Sequence, residues 1–428
     1  MNYNTFLIRY GISPDNFKAV VAEPIKTSTG YMYCLEQRTD INRQCPFCDS
    51  KSIIIKDYDM IKTNISINDN SKDFLMIKKV RFKCKRCNKT YTPEIEGIKP
   101  YNHISNLSKN YITWDFYKKL SYTQIAEKYD VSVGYVIHLF DETFPYIPRK
   151  KLPKILCIDE FHFSKIYDQK YCCVLTDFET GEVIDIIKNR QKAYLEEYFT
   201  NISLEEREQV TYFVSDMYDE YGIIQRKFFP NSIHVIDMFH IICQLTNAIN
   251  IVRTRTMNKM VVKNSLHYNF MKKNWRYFLC RKERIPNKTY TYKATKQTFT
   301  FEELVYMCTR SNPDLLNAHN VLQDIYKYAY YKSEDEIARY MTWISDRLLS
   351  SDDEEIRKVG RTYLKWMYGI TNAFTKKSKQ KRLTNGIAES INNHIKTTIK
   401  YSYGFENFER FRKRALLIFS KNKVKKEW

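Results

Sequence analysis

KILCIDEFHF (154–163) is an apolar run that closes on two adjacent acids, and its reading decides the fold. A strand covered on both faces reads as a short, nearly unbroken hydrophobic run, unlike the alternating pattern of a half-exposed strand. YCCVLTDFETGEVIDIIK (171–188) holds two more β-rich runs, joined by ETGE, and its turn chemistry makes the pair a hairpin. VTYFVSDM (210–217) and SIHVID (232–237) are short buried strands, each passing into a helical pattern.

Strand, hairpin, then strand–helix–strand–helix is the order expected of an RNase H-like α/β sheet. Residues 241–380 are nearly free of β signals and carry amphipathic runs such as PDLLNAHNVLQDIYKYAYY. They read as a helical insertion, at about 245–380, between the last strand and a final helix. Three regions follow: a cysteine-bearing domain over 1–100, a helical DNA-binding domain over 101–150, and the α/β core with its insertion over 151–428. There is no internal repeat and no low-complexity linker.

Asp159 closes a buried strand, where an ionised carboxylate is costly unless it reaches the sheet edge or a cation. Asp216 stands in the same setting at the end of FVSD. Open α/β sheets bind ligands at the carboxyl ends of their strands, so the two acids are expected to converge. A third acid comes from a later helix: TNGIAESINNHIKTTIK (384–400) offers Glu389, with Asn385 or Thr384 as cap and Asn393 one turn beyond. Oxygen ligands of this kind suit Mg²⁺ or Mn²⁺, and two such ions serve phosphoryl transfer. Glu160, Asp219 and Glu220 are competitors nearby. Asp237 and His240, a DxxH in VIDMFH, put an acid and an imidazole on one helical face. They either line the same site, bind DNA or make a structural hydrogen bond.

Cys45-Pro-Phe-Cys48 and Cys84-Lys-Arg-Cys87 are two CxxC knuckles with 35 residues between them. Each offers two sulfurs from one tight loop, and together they suit one tetrahedral Zn²⁺ with no open position, a structural site. Cys34 is a bystander, while Cys157, Cys172 and Cys173 belong to strands. In KLSYTQIAEKYDVSVGYVIHLF (119–140), Thr123 is expected to cap a short helix that holds Ile125 and Ala126 inward. Val131 sits in the turn, Ser132 caps the second helix and Val136 packs back. This is the grammar of a helix-turn-helix, with Thr123, Gln124, Ser132 and Tyr135 expected to meet DNA.

Lys and Arg exceed Asp and Glu, 70 to 49, for a net charge of +21. Such a field suits a polyphosphate partner, although a lysine-rich proteome gives the same count. Lys377, Lys381 and Arg382, with Lys376 and Lys379, lie just before the Glu389 helix. Asn393 and Lys396 lie on that helix, and Arg412 lies in a second basic run with Arg410, Lys413 and Arg414. All are candidates to grip phosphates. No segment approaches the ~18 uninterrupted apolar residues of a membrane span, and the first residues lack a secretory pattern. Eleven cysteines then read as reduced thiols or metal ligands of an intracellular protein.

These motifs together resemble the ISL3 family of bacterial insertion-sequence transposases. The likeness runs through CPFC and FKCKRC, the helix-turn-helix, LCIDEFHF, FVSDMYDEY, VIDMFHI and NGIAESINNHIKTTIKYSYGFENFERFRKR, the last being the most specific. It implies a DDE transposase that acts on double-stranded DNA, both its element's terminal inverted repeats and a target. Asp159, Asp216 and Glu389 take the three acidic roles, and a DNA-bound homodimer or larger assembly in the bacterial cytoplasm, at the nucleoid, is expected. A DNA-binding regulator on a degenerate core and an RNase H-like nuclease without strand transfer are the alternatives.

Overall fold

The computed structural model describes residues 7–8, 10–40, 44–65, 72–98, 103–163, 170–263, 265–293, 295–328, 333–378, 381–401 and 407–419. Contacts divide the chain into two compact units, Met1–Pro148 with Thr397–Trp428, and Arg149–Lys396. The cysteine and helical regions thus form one unit, and the end of the chain joins them although its sequence follows the α/β region.

In the first unit, β1 (Phe17–Ala19), β2 (Ile25–Lys26), β3 (Tyr31–Gln37), β4 (Ile53–Asn64), β5 (Phe74–Cys84) and β6 (Thr90–Tyr91) make one sheet. Its order is β1-β3-β5-β4, with β2 on β3 and β6 on β5. β4 and β5 pair antiparallel from Ile53↔Cys84 to Asn64↔Phe74. This long ribbon accounts for the wide separation of the two knuckles, because the chain runs out along β4 and returns along β5. Leu75 and Ile77 of β5 pack with Leu35 of β3 and Ile95 in one core.

Three helices follow: α1 (Asn106–Asp115), α2 (Tyr122–Tyr129) and α3 (Val133–Thr143). Ile112, Phe116, Ile125, Ala126, Tyr129, Val136 and Phe140 form their core, and Leu417 of the C-terminal helix, Phe408–Ile418, enters it. At its centre the buried Asp115 accepts from Lys118 at 2.6 Å, Lys128 at 2.9 Å and the Tyr129 hydroxyl at 2.9 Å. Burial alone raises a carboxyl pKa, but these donors bring Asp115 below its ordinary value.

The second unit is built on β7 (Ile155–His162), β8 (Tyr171–Asp177), β9 (Val183–Ile187), β10 (Tyr212–Ser215) and β11 (Ile233–Ile236), in the order β11-β10-β7-β8-β9. β7, β8 and β9 run antiparallel in turn, whereas β10 lies parallel to both β7 and β11. At the β8–β9 turn Gly181 takes φ +70°, a conformation that favours glycine. α4 (Lys192–Thr200) and α5 (Leu204–Glu208) precede β10, α6 (Asp219–Phe228) joins β10 to β11, and α7 (Met238–Lys259) follows β11.

Both faces of this sheet are covered, which is why its strands read as unbroken apolar runs. Leu156 and Ile158 of β7 pack with Leu195 and Phe199 of α4 and with Tyr221, Ile224 and Phe228 of α6. The alternate residues, Ile155 and Cys157, join Val214, Val235 and the helices of the opposite face. That face carries the expected helical region: α8 (Leu266–Lys273), α9 (Phe301–Thr309), α10 (Pro313–Tyr328), α11 (Glu334–Leu349), α12 (Glu354–Lys365) and α13 (Met367–Thr375), then α14 (Gly386–Tyr401). A small hairpin, Thr289–Thr291 with Thr298–Thr300, interrupts it. No described helix is long and apolar enough to cross a membrane.

The helical region is anchored to the sheet at its far end. α13 lies on β11, where Asn372 Nδ2 donates to the His234 carbonyl at 2.9 Å. Gly369 lets the two backbones approach, since a Cβ there would stand 2.7 Å from Ile236 Cγ1. Gly369→Ala is expected to lower stability by about 1–2 kcal/mol, the overpacking cost exceeding the helix-propensity gain. Denaturant unfolding of the pure protein measures it, and an unchanged midpoint would contradict the close approach.

Candidate active site

The pairing register lines three aspartates up. β10 and β7 pair through Val214↔Cys157, so two residues further Asp216 stands level with Asp159. β10 and β11 pair through Ser215↔Ile236, so Asp237 follows level with Asp216. Adjacent strands are about 4.8 Å apart, which puts the three acids in one row across the carboxyl ends of β10's two parallel pairings. Asp159 and Asp216 share the strand phase of Cys157 and Val214, and hence the face on which α7 and α14 lie.

α14 is fastened over this row by its own asparagines. Asn385 donates from its backbone N–H to Asp237 Oδ1 at 3.0 Å and from Nδ2 to the Ile158 carbonyl at 2.8 Å. Its carbonyl accepts the Glu389 N–H at 2.9 Å, the first turn of the helix. Asn392 Nδ2 donates to Asp159 Oδ2 at 2.7 Å and to the Glu160 carbonyl at 3.2 Å. Glu389 lies between the two asparagines at helical spacing, in the first turn, where the helix dipole favours a carboxylate. Of the two residues the sequence offers as cap, Thr384 Oγ1 accepts the Gly386 N–H at 3.3 Å, while the Asn385 side chain is turned to β7. The residue that faces the site one turn beyond Glu389 is Asn392, however, while Asn393 is exposed on the surface.

His240 Nε2 lies 3.9 Å from Asp237 Oδ2 and 3.9 Å from Glu389 Oε1. Asp237, His240 and Glu389 each offer a ligand atom within 4.8 Å of the others. Asp237 is 1% exposed and its Oδ2 has no hydrogen-bond partner. A buried, unpartnered carboxylate oxygen facing an imidazole and a second carboxylate fits a divalent cation. Asp159 and Asp216 flank this cluster on the neighbouring strands. Burial drives the Asp159 and Asp216 carboxyls up to about 6, with the like charge of Asp216 adding to the rise at Asp159 and that of Glu160 at Asp216; His240 opposes both shifts. Burial likewise raises Asp237, and Glu389 with the help of Asp237. Four acids around one imidazole, all held above their ordinary range, make a site short of positive charge.

Of the other acids, Glu160 is bound by Arg190, whose Nη1 lies 2.5 and 2.6 Å from its two oxygens. Asp219 pairs with Lys365 at 2.6 Å.

The knuckles are two copies of one local geometry. Asp49 N–H donates to the Cys45 carbonyl and Asn88 N–H to that of Cys84, at 2.9 and 3.0 Å. Asp49 and Asn88 both take positive φ, 56° and 59°, which short polar side chains tolerate best. Sγ atoms of Cys45 and Cys87, and of Cys48 and Cys84, lie 3.6 Å apart. A tetrahedral Zn²⁺ with Zn–S of about 2.3 Å requires S–S of about 3.8 Å, so the four thiols fit the ion. Backbone N–H groups of Cys87 and Arg86 bring the Cys84 thiol down to about 6. Cys34, half-buried on β3, stands outside this group.

In the helical region, Ser132 caps α3 by accepting from Tyr135 N–H at 3.1 Å. α2, however, is capped by Ser121 and not by Thr123: Ser121 Oγ accepts from Gln124 N–H, and Gln124 Oε1 accepts from Ser121 N–H. Thr123 sits one residue into the helix and is exposed, while the Gln124 side chain is committed to this capping box. Exposed Thr123, Ser132, Gly134 and His138 remain on the outer surface, with Tyr135 half-buried.

The second basic run does structural work instead of presenting free cations. Arg410 binds Asp141 at 2.6 Å, Lys413 donates to the Phe144 carbonyl at 2.8 Å, and Arg412 donates to that of Ile147 at 3.0 Å. Arg414, 2% exposed, donates to the carbonyls of Asp115, Lys118 and Leu120, tying the C-terminal helix to the end of α1 and the loop that leads into α2. Lys376 pairs with Glu334, whereas Lys377, Lys381 and Lys396 are exposed and Arg382 half-buried. Lys379 and the YGF part of the C-terminal signature lie outside the described residues.

A family model described as Transposase, that of the ISL3 DDE enzymes, matches residues 156–415, more than half of the chain. The chain belongs to the ISL3 transposase family, and so to the enzymes that transpose DNA. No curated protein matches it.

Two outcomes follow from the site. A carboxyl whose folded pKa lies above its unfolded value favours folding below the lower pKa and loses that contribution as pH rises through the higher one. In magnesium-free buffer Asp159→Asn is therefore expected to leave stability unchanged near pH 4 and to raise it by about 1–3 kcal/mol above pH 6. Thermal melts across that range measure the difference, and a gain that shrinks with rising pH contradicts the assignment. Cys84→Ser is expected to remove one equivalent of zinc per chain by elemental analysis and to melt the first unit. Full zinc retention in that variant would contradict the four-thiol site.

Proposed function

We propose that this transposase binds the terminal inverted repeats of its element and carries out cleavage and strand transfer through Asp159, Asp216 and Glu389, with Asp237 and His240 as accessory groups. The observation that carries the reading is the level row of three aspartates, Asp159 and Asp237 buried and Asp216 half-buried, with Glu389 pinned above it by Asn385 and Asn392. The strand order, an antiparallel hairpin on one side of β7 and two parallel strands on the other, supports an RNase H-like core.

Asp159, Asp216 and Glu389, beside Asp237, would hold divalent cations, two of Mg²⁺ or Mn²⁺. Bound there, such ions activate the attacking oxygen and stabilise the leaving one. The chain's own groups set the stage. Asn392 fixes the orientation of Asp159, Asn385 fixes that of Asp237, and His240 stands beside Asp237 and Glu389. Water attacks first at the element's end. The freed 3′-hydroxyl then attacks target DNA in line, with no covalent enzyme intermediate. Cys45, Cys48, Cys84 and Cys87 hold one structural zinc. The helix-turn-helix reads the end through the exposed surface around Thr123, Ser132 and Tyr135. Lys377, Lys381, Arg382, Asn393 and Lys396 supply phosphate contacts near the cut. Cutting two ends calls for at least two copies on DNA.

Asp159→Asn is expected to abolish strand cleavage, by more than a hundredfold or so, while end binding in a gel-shift assay stays intact. Incubating the wild type with labelled element ends and a target plasmid separates integration from cutting alone or binding alone. Cleavage by the Asp159→Asn variant in Mg²⁺ would refute the triad.

A further inference from the structure

Arg190 stands in the loop between β9 and α4 and takes no part in the mechanism above. Its guanidinium lies over two rings, with Cζ 4.5 Å from the Tyr171 centroid and 5.1 Å from that of Tyr218. Only Nη1 is engaged, with both oxygens of Glu160, at 2.5 and 2.6 Å. Among the described residues, Nε and Nη2 have no hydrogen-bond partner, and the side chain is 32% exposed. The supports of Arg190 are neighbours of the candidate acids. Glu160 follows Asp159 in β7, and Tyr218 donates its backbone N–H to Asp216 Oδ1 at 3.1 Å. Strand alternation turns Glu160 away from the face of Asp159. Arg190 therefore stands at the rim of the row on the far side, close enough that its charge bears on Asp216.

A guanidinium held between two rings has already lost most of its rotamer freedom, so further contacts order little more. Its free fork suits a phosphodiester, because two donors in one plane match two non-bridging oxygens. The charge of Arg190 is shared with Glu160, so what it offers a strand lying along the rim is the pair of unused donors, Nε and Nη2.

We infer that Arg190 is a phosphate-binding, positioning residue for the DNA strand being cut, gripping a phosphate that flanks the scissile one. This inference rests on the strand-cutting function proposed for the site. A purely structural ion pair between Arg190 and Glu160 gives a different outcome in the following test.

The full chain is assayed in Mg²⁺ at saturating concentrations of a duplex carrying the end of the element that encodes it. A parallel series carries one neutral methylphosphonate at each phosphate flanking the cut. Arg190→Ala is expected to cut the native duplex about ten- to hundredfold more slowly, the loss of hydrogen bonds to a charged group. End affinity should change little. One methylphosphonate position should slow the wild type by a similar factor and add nothing to the defect of Arg190→Ala. Arg190→Lys keeps a charge for Glu160 but not the planar fork. It carries the same comparison should Arg190→Ala fail to fold, and it too should be insensitive at that position. A variant that cuts at the wild-type rate overturns the inference, as does a set of methylphosphonates that slow wild type and variant equally. Wild-type protein that binds the native duplex without cutting it sinks the parent function instead, and this inference with it.

Discussion

Three aspartates at one level of a sheet, on neighbouring parallel strands, repel one another in surroundings where little water reaches them. Three groups near the site answer that repulsion. Asn392 donates to Asp159, the Asn385 N–H donates to Asp237, and His240 stands between Asp237 and Glu389. These contacts orient the acids without neutralising them, and burial leaves Asp159 and Asp216 with pKa values near 6. An arrangement that is costly by itself and becomes favourable on gaining positive charge is what a metal-dependent site requires.

The same constraint explains why the third acid comes from so far along the chain. Glu389 is useful only if its helix starts directly above the row, and Asn385 places it there by bonding both β7 and the residue after β11. The helices between α7 and α14 do not loosen that placement, because α13 returns to β11 and packs Gly369 against Ile236. In the other unit the C-terminal helix is held just as firmly, with Arg414 buried against three carbonyls between the end of α1 and the start of α2. Residues that look like a basic tail in sequence are thus part of a folded core.

How much was legible in the sequence follows from range. The five strands of the second unit were readable because both sheet faces are buried, so each strand is a local apolar run; Asp216 follows the end of β10 as the sequence suggests, whereas Asp159 stands inside β7, which runs on to His162 against β8. The knuckles were readable because metal ligation imposes a spacing on adjacent residues. Glu389 was not readable from spacing, since it lies 173 positions beyond Asp216; it is the family's C-terminal signature that marks it. Ser121 was passed over for Thr123 as the α2 cap although its capping box with Gln124 is a local signal. The bond from Asn392 to Asp159 was not readable, because it joins residues 233 positions apart. Arg190 carried no local signal, because its role arises from Glu160, Tyr171 and Tyr218 on other elements. The structural use of Arg410, Arg412, Lys413 and Arg414 was hidden for the same reason, as each partner lies more than two hundred residues away.

The central claim, that the row of acids and Glu389 form a cation site, is tested most directly by crystals of the wild-type chain soaked in Mn²⁺ and measured at the manganese absorption edge. Anomalous density bounded by Asp159, Asp216 and Glu389, and absent from Asp159→Asn crystals treated alike, is the predicted result. Ordered carboxylates with no manganese between them, or manganese bound only elsewhere, would contradict the account.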